Sequence, residues 1–189
     1  AHNNLGLLLK NHKQDIDGAE KHLRRAIEID PNDADAHCNL GYLLMNHRQD
    51  IDGAEKHYRR AIEIDPKYAL AQNNLGYLLM NHKQDIDGAE KHFRKAIEIS
   101  PKHAHLAHSN LGVLLEHRRQ DFDGAEKHHR KAIELNPKDA DFLSNLGQLL
   151  MQHRQDYDGA KECFLKALRI DPQHPIARKN LTTLLRKDQ

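Results

Sequence analysis

The fold is decided by residues 34–68, which read ADAHCNLGYLLMNHRQDIDGAEKHYRRAIEIDPKY. Two short motifs in this stretch, Asn-Leu-Gly and Asp-Gly-Ala, return along the chain at a nearly constant interval. Asn-Leu-Gly begins at residues 4, 39, 74, 110 and 145, with a decayed copy at 180, so its steps are 35, 35, 36, 35 and 35 residues. A fixed period of about 20 to 50 residues is typical of proteins that stack copies of one small unit.

Each copy contains two segments with the periodicity of an amphipathic helix. A polar stretch, His47–Asp50, lies between them, and Pro66 ends the second segment because proline cannot continue a helix. Asp52 and Glu55 have the spacing of a capping box at the start of the second helix, with Asp50 as an alternative N-cap. The apolar residues that recur every three or four positions are Ala36, Leu40, Leu43 and Leu44, then Ala54, Tyr58, Ala61 and Ile62.

Gly41 lies in the middle of the first predicted helix of this copy. Glycine costs about 1 kcal/mol relative to alanine at such a position. Because the glycine recurs with the motif, we expect the second helix to pack closely there and to leave no room for a Cβ. One such hairpin cannot bury its apolar face alone, whereas stacked neighbours can.

These positions match a known repeat signature, W-x2-L-G-x2-Y, then A-x3-F, then P. The corresponding residues here are His37, Leu40, Gly41 and Leu44, then Ala54 and Tyr58, then Pro66. The chain therefore resembles the tetratricopeptide repeat family over its whole length. The resemblance implies an all-α fold, a right-handed superhelical solenoid of antiparallel helix hairpins.

We predict a single array over residues 1–189 with five repeats and an end helix. Two departures from the family period are visible: an extra residue in the turn at Arg48–Gln49, and a second in the connection Pro101–His108, where the stacking can become irregular. Ala1 begins inside a helical pattern, so we expect the chain to be part of a longer one. The repeats, called one to five below, span about 1–33, 34–68, 69–103, 104–139 and 140–174, and the end helix spans 175–187.

The asparagine of each Asn-Leu-Gly motif is the first candidate for ligand contact. The resemblance implies that this position faces a concave groove; in the similar array of the O-linked N-acetylglucosamine transferase, an asparagine ladder holds the backbone of an extended peptide. A carboxamide both donates and accepts hydrogen bonds, so it can pair with a peptide backbone. The alternative is that these residues bond locally between helices. The predicted peptide-binding set is Asn4, Asn39, Asn74, Asn110 and Asn145.

Four further candidates follow on the same helices. Tyr42 and Tyr77 come three residues after the asparagine, and Met45 and Met80 come six residues after it. Exposed tyrosine and methionine are typical of adaptable binding surfaces. The alternative is that these side chains fill space between adjacent hairpins.

Other binding chemistries are not expected. A chaperone carboxylate clamp, known in some members of the family, needs a basic residue just before the asparagine. The residues that precede the asparagine here are Asn3, Cys38, Asn73, Ser109 and Ser144, so the clamp is absent.

A basic stripe lies on the second predicted helix at Lys56, Arg59 and Arg60. It is interleaved with acids, which indicates a solvated outer face rather than a nucleic-acid site.

Composition agrees with these exclusions. The 189 residues carry 29 Lys plus Arg against 28 Asp plus Glu, so the net charge of +1 does not favour nucleic acid or an anionic membrane. No apolar run approaches the roughly 20 residues that span a bilayer. Cys38 and Cys163 are too few for a disulfide framework, and we expect a reducing compartment such as the cytoplasm.

The sixteen histidines suggest a metal site, but most of them are copies of a few repeat positions. His103, His105 and His108 are the best cluster, and they lack a metal-ligand spacing. We therefore predict no metal and no cofactor. We do expect several histidines to gain charge together around pH 6 to 6.5. No nucleophile elbow or phosphate loop is present, so the chain is not predicted to be an enzyme.

The expected function is a protein- or peptide-binding scaffold that uses the concave groove. One alternative is the substrate-recruiting array of a larger enzyme such as a glycosyltransferase. Another is a self-assembling structural repeat, because repeats one to three are near copies of each other.

Overall fold

The computed structural model describes residues 2–9 and 15–187, and this part of the chain contains helices and no strand. The all-α prediction is therefore confirmed. Within the same residues, every helix is too short or too polar to cross a lipid bilayer. The helices are α1 His2–Leu8, α2 Ile16–Ile29, α3 Ala34–Leu43, α4 Ile51–Ile64, α5 Ala69–Leu78, α6 Ile86–Ile99, α7 His105–Leu114, α8 Phe122–Leu135, α9 Ala140–Leu149, α10 Tyr157–Ile170 and α11 Pro175–Lys187.

The chain forms two compact units, Ala1–Ile99 and Ser100–Gln189. Their boundary falls in the connection that carries an extra residue before α7. In the N-terminal unit the hairpins are α1–α2, α3–α4 and α5–α6. In the C-terminal unit they are α7–α8 and α9–α10, and α11 packs on α9 and α10. There Ala177 and Leu184 of α11 join the core that contains Phe164.

The second helix of a repeat begins at an aspartate cap. Asp50 accepts a hydrogen bond from the backbone N–H of Gly53 at 2.9 Å, and Asp15, Asp121 and Asp156 cap their helices in the same way. The prediction of Asp52 as the cap is wrong, since Asp52 lies in the first turn of the helix. A Cβ at residue 53 would come within 2.2 Å of the Asp50 carboxylate, so a side chain there would force the carboxylate out of this capping position.

A wide turn accommodates the extra residue of the 35-residue period. After α3 the chain makes one π-helical turn, Leu44–Arg48, which ends at Gln49 in the left-handed conformation with φ 58°. The N–H of Asp50 then bonds to the carbonyl of Leu44 at 3.0 Å and closes the turn. The same left-handed conformation recurs at Gln84, Gln120 and Gln155.

The two helices of a repeat meet at the recurring glycine. A Cβ at Gly41 would lie 2.9 Å from the ring of Tyr58, so α3 and α4 pack too closely at this point to leave room for a side chain. The close approach predicted from the sequence is confirmed. Tyr58, Phe93 and Phe164 occupy this position in repeats two, three and five, and all three are fully buried.

Neighbouring repeats are also joined by ion pairs on the outer surface. A basic residue in the π-helical turn reaches back to two acids in the second helix of the preceding repeat. Exposed pairs of this kind stabilise by about 0–1 kcal/mol each, so they add little to stability. The sets are Arg48 with Asp17 and Glu20, Lys83 with Asp52 and Glu55, and Arg154 with Asp123 and Glu126.

Candidate functional site

The first helices of the repeats form the candidate binding face. In the N-terminal unit, α3 contacts both α1 and α5, whereas α2 and α4 meet the next repeat mainly through its first helix, α3 and α5 respectively. The first helices therefore form the more closely spaced row. In a stack of hairpins the more closely spaced row lies on the inner, concave side, which repeat proteins use for binding.

Asn39 and Asn74 are half-buried on this face. The Asn39 amide donates to Oδ1 of Asn3 at 2.9 Å, and the Asn74 amide donates to Sγ of Cys38 at 3.7 Å. The bonding between helices considered as the alternative is thus present. A carboxamide has two N–H donors and an oxygen with two lone pairs, so these bonds use only part of its capacity.

The remaining asparagines of the predicted set lie elsewhere. In the C-terminal unit, the Asn145 amide donates to Oγ of Ser109 at 3.3 Å, which repeats the arrangement of Asn39. Asn110 is half-buried on α7. The side chain of Asn4 lies outside the described residues.

The tyrosines and the methionines have different environments. Tyr42 and Tyr77 are each 40% exposed, so they are accessible on the candidate face. Met45 and Met80 are only 8% and 4% exposed, and they pack in the core. The expectation that the methionines extend an exposed apolar stretch is therefore corrected. They lie in the π-helical turn, whose larger number of residues per turn rotates them away from the tyrosine face.

Two asparagines that sequence reasoning did not select also lie beside the tyrosines. The Asn46 amide donates to the backbone carbonyl of Tyr42 at 3.0 Å, and Asn81 makes the same bond to Tyr77 at 3.1 Å. Both asparagines are exposed. The signal was present in the sequence, because an asparagine follows each tyrosine by four residues on a predicted helix.

The Cys38 thiol and the basic stripe of the outer face are both explained by their immediate surroundings. Burial raises the pKa of the Cys38 thiol to about 12, so this thiol remains protonated at neutral pH. Arg59 pairs with Glu55 at 2.7 Å and Arg60 with Glu63 at 3.3 Å, which compensates charge on the basic stripe of the outer face.

The three histidines of the connection before α7 do not converge. His103 contacts Ser100, His105 lies against the ring of Phe142, and His108 contacts His128. Among the residues that the structure describes, no group of three or more His, Cys, Asp or Glu side chains is arranged to hold a metal ion.

Sequence profiles of one repeat family cover most of the chain. A profile described as "TPR repeat" matches residues 11–47 and 45–83. Two profiles described as "Tetratricopeptide repeat" match residues 67–138 and 116–185. No curated protein sequence matches the chain.

Solved structures of similar fold come from several bacteria. The PilF structure of Pseudomonas aeruginosa is 24% identical, with 89% of this chain and 74% of that one covered and a TM-score of 0.79. A thermophilic TPR protein of Thermus thermophilus is 18% identical, with 97% of both chains covered and a TM-score of 0.78. YrrB, described as a TPR protein with an unusual peptide-binding site, is 21% identical, with 95% and 89% covered and a TM-score of 0.66.

Proposed function

Because the chain belongs to the tetratricopeptide repeat family, we propose that it is a scaffold that binds an extended peptide along α3 and α5. Proteins built from these repeats are typically non-enzymatic scaffolds for protein interaction. The observation that carries the proposal is the exposure of Tyr42 and Tyr77, one repeat apart on the inner row of helices. YrrB, of the same fold, has a peptide-binding site according to its description.

Each tyrosine has a carboxamide one turn before it and another one turn after it. Asn39 and Asn46 flank Tyr42 in this way, and Asn74 and Asn81 flank Tyr77. A tyrosine ring offers a large apolar contact and a polar hydroxyl at little cost in side-chain entropy. Carboxamides on both sides can pair with the backbone of a bound chain without selecting its side chains. The combination favours an extended segment whose apolar side chains meet the two rings.

Peptides selected from a random library displayed on phage provide a test. We expect Tyr42→Ala combined with Tyr77→Ala to raise the Kd of a selected peptide by about tenfold or more, since each lost aromatic contact costs about 1 kcal/mol. Asn39→Ala with Asn74→Ala should weaken binding several-fold, at about 0.5–1.5 kcal/mol per lost hydrogen bond. Fluorescence anisotropy measures the Kd, and circular dichroism confirms that the helices are intact.

The matched control is Tyr157→Ala, because Tyr157 is also exposed, at 44%, but begins the second helix α10. It should leave the Kd unchanged, as should Lys56→Ala with Arg59→Ala on the outer face. If the outer-face substitutions abolish binding and the tyrosine pair does not, the inner face is not the site.

A further inference from the structure

A direct contact between two histidine rings links the two helices in several repeats. In repeat two, Nδ1 of His37 on α3 lies 2.9 Å from Nδ1 of His57 on α4. Repeat three has a glutamine in the first position, and there Oε1 of Gln72 lies 2.6 Å from Nδ1 of His92. Equivalent histidine pairs are His2 with His22 at 2.9 Å and His108 with His128 at 2.8 Å.

The proton arrangement in repeat two follows from the neighbouring backbone. Nε2 of His37 lies 3.3 Å from the carbonyl oxygen of Pro31, and a carbonyl can only accept. His37 therefore carries its proton on Nε2, and its Nδ1 is the acceptor for the Nδ1–H of His57. One proton lies between the two rings.

The geometry suits a shared proton rather than a metal ion. The ring centroids of His37 and His57 are 5.1 Å apart, close to the largest separation that a nitrogen–nitrogen distance of 2.9 Å allows. The two nitrogens therefore lie close to the line that joins the rings and face each other. Two metal ligands would instead have to direct both lone pairs toward a third point.

The surroundings disfavour added positive charge. Burial, the neighbouring His37, and the cations Arg24 and Lys56 lower the pKa of His57 to about 4, against a small opposing effect of Asp50. Burial also lowers the pKa of His37; Arg60 acts in the same direction, and the Pro31 carbonyl and Asp33 oppose it. In repeat four, burial and Lys131 lower the pKa of His108, opposed by Glu134.

We propose that the His–His pairs of repeats two and four are proton-sensitive latches, which hold the two helices of these hairpins together at neutral pH and release them in acid. A pair can retain its hydrogen bond only while one of the facing nitrogens lacks a proton. When both rings are protonated, two N–H groups face each other. Repeat three differs, because the oxygen of Gln72 accepts from His92 in either charge state of the ring. Burial, Arg59 and Lys91 nevertheless lower the pKa of His92 too, opposed by Asp85, so repeat three is weakened in acid without losing this bond.

The direction of the pH effect follows from linkage. Histidine in the unfolded chain binds a proton near pH 6.5, whereas folded His57 does so only near pH 4. The stability contributed by neutral His57 is therefore complete above pH 6.5 and is lost as the pH falls toward 4. At about pH 5.5, one such group lowers the folding equilibrium constant about tenfold. This pH lies above the range in which the acids titrate.

Amide hydrogen exchange on the full chain, at about pH 7.5 and about pH 5.5 and corrected for intrinsic rates, tests the latch. We expect α3 and α4 to lose about tenfold in protection on acidification, and α5 and α6 to lose less, because the Gln72–His92 bond survives protonation of the ring. His37→Gln should give repeat two the weaker pH response of repeat three. Gln72→His should give repeat three the stronger response of repeat two.

Circular dichroism at neutral pH identifies variants that fail to fold, and His57→Gln then replaces His37→Gln. The proposal is wrong if repeats two and three lose protection equally in the unmodified chain. It is also wrong if neither glutamine variant reduces the acid response of α3 and α4.

Discussion

Repeat four contains a buried polar cluster whose replacement should stabilise the protein. The Glu116 and His129 side chains are 3% and 0% exposed, and Oε2 of Glu116 lies 3.5 Å from Nε2 of His129. His153 approaches the other carboxylate oxygen at 3.4 Å. Yet Oε1 of Glu116 and both ring nitrogens of His129 make no hydrogen bond. A buried polar group without a hydrogen bond costs about 1–3 kcal/mol.

The perturbation is Glu116→Met combined with His129→Phe, which copies the residues that repeat three has at Met80 and Phe93. Glu116 and His129 are a buried ionisable pair, and replacing such a pair with apolar residues of similar volume is often neutral or stabilising by about 1–4 kcal/mol. The absence of hydrogen bonds at three atoms places the expected gain in this range rather than at zero. His129→Phe alone should destabilise, because the buried Glu116 carboxylate then keeps only His153 beside it.

Urea unfolding followed by circular dichroism measures these free energies, since the chain contains no tryptophan. The reverse exchange, Met45→Glu with Tyr58→His in repeat two, is the matched control and should destabilise. The reasoning is refuted if Glu116→Met with His129→Phe lowers the unfolding midpoint, or if the reverse exchange raises it.

Two further changes test the packing and the turn. Leu75→Ala in the core of α5 should lower the free energy of unfolding by about 2–5 kcal/mol, whereas Leu5→Ala should cost less because Leu5 is 38% exposed; equal shifts of the urea midpoint with equal slopes would contradict this distribution of stability. Gln84→Gly should raise stability by about 0.5–1 kcal/mol, because glycine removes the strain of a left-handed residue at φ 57°; a melting temperature that falls instead would show that the glutamine side chain stabilises the turn.

The elements that could be predicted are those with local causes. Apolar spacing identified the helices, and the recurring Gly41 identified the close contact with Tyr58, because only a small residue fits between packed helices. The wide turn was located at Arg48–Gln49, but its π-helical form was not predicted. Because the turn changes the helical phase, the environment of Met45 could not be read from α-helical spacing.

The histidine pairs were missed although the sequence contains a signal for them. The two positions are twenty residues apart, and they vary together among the repeats. Where the first position is His or Gln, the second is His, as in His37 with His57; where the first is Leu143, the second is Cys163. Periodicity within one helix does not show this relation, since the partners lie on different helices. The role of the asparagines in peptide binding remains a prediction, because their observed bonds join neighbouring repeats.

The ion pairs between repeats have a consequence for how such a chain can change length. Arg48 pairs with Asp17 and Glu20, and thirty-five residues later Lys83 pairs with Asp52 and Glu55. These two junctions therefore have a basic residue and the same two acids in equivalent positions, 35 residues apart. If duplication or deletion adds or removes a whole repeat, the new neighbours meet complementary charges in the correct register. Within the N-terminal unit, whole repeats can therefore be added or removed while the junctions keep these ion pairs.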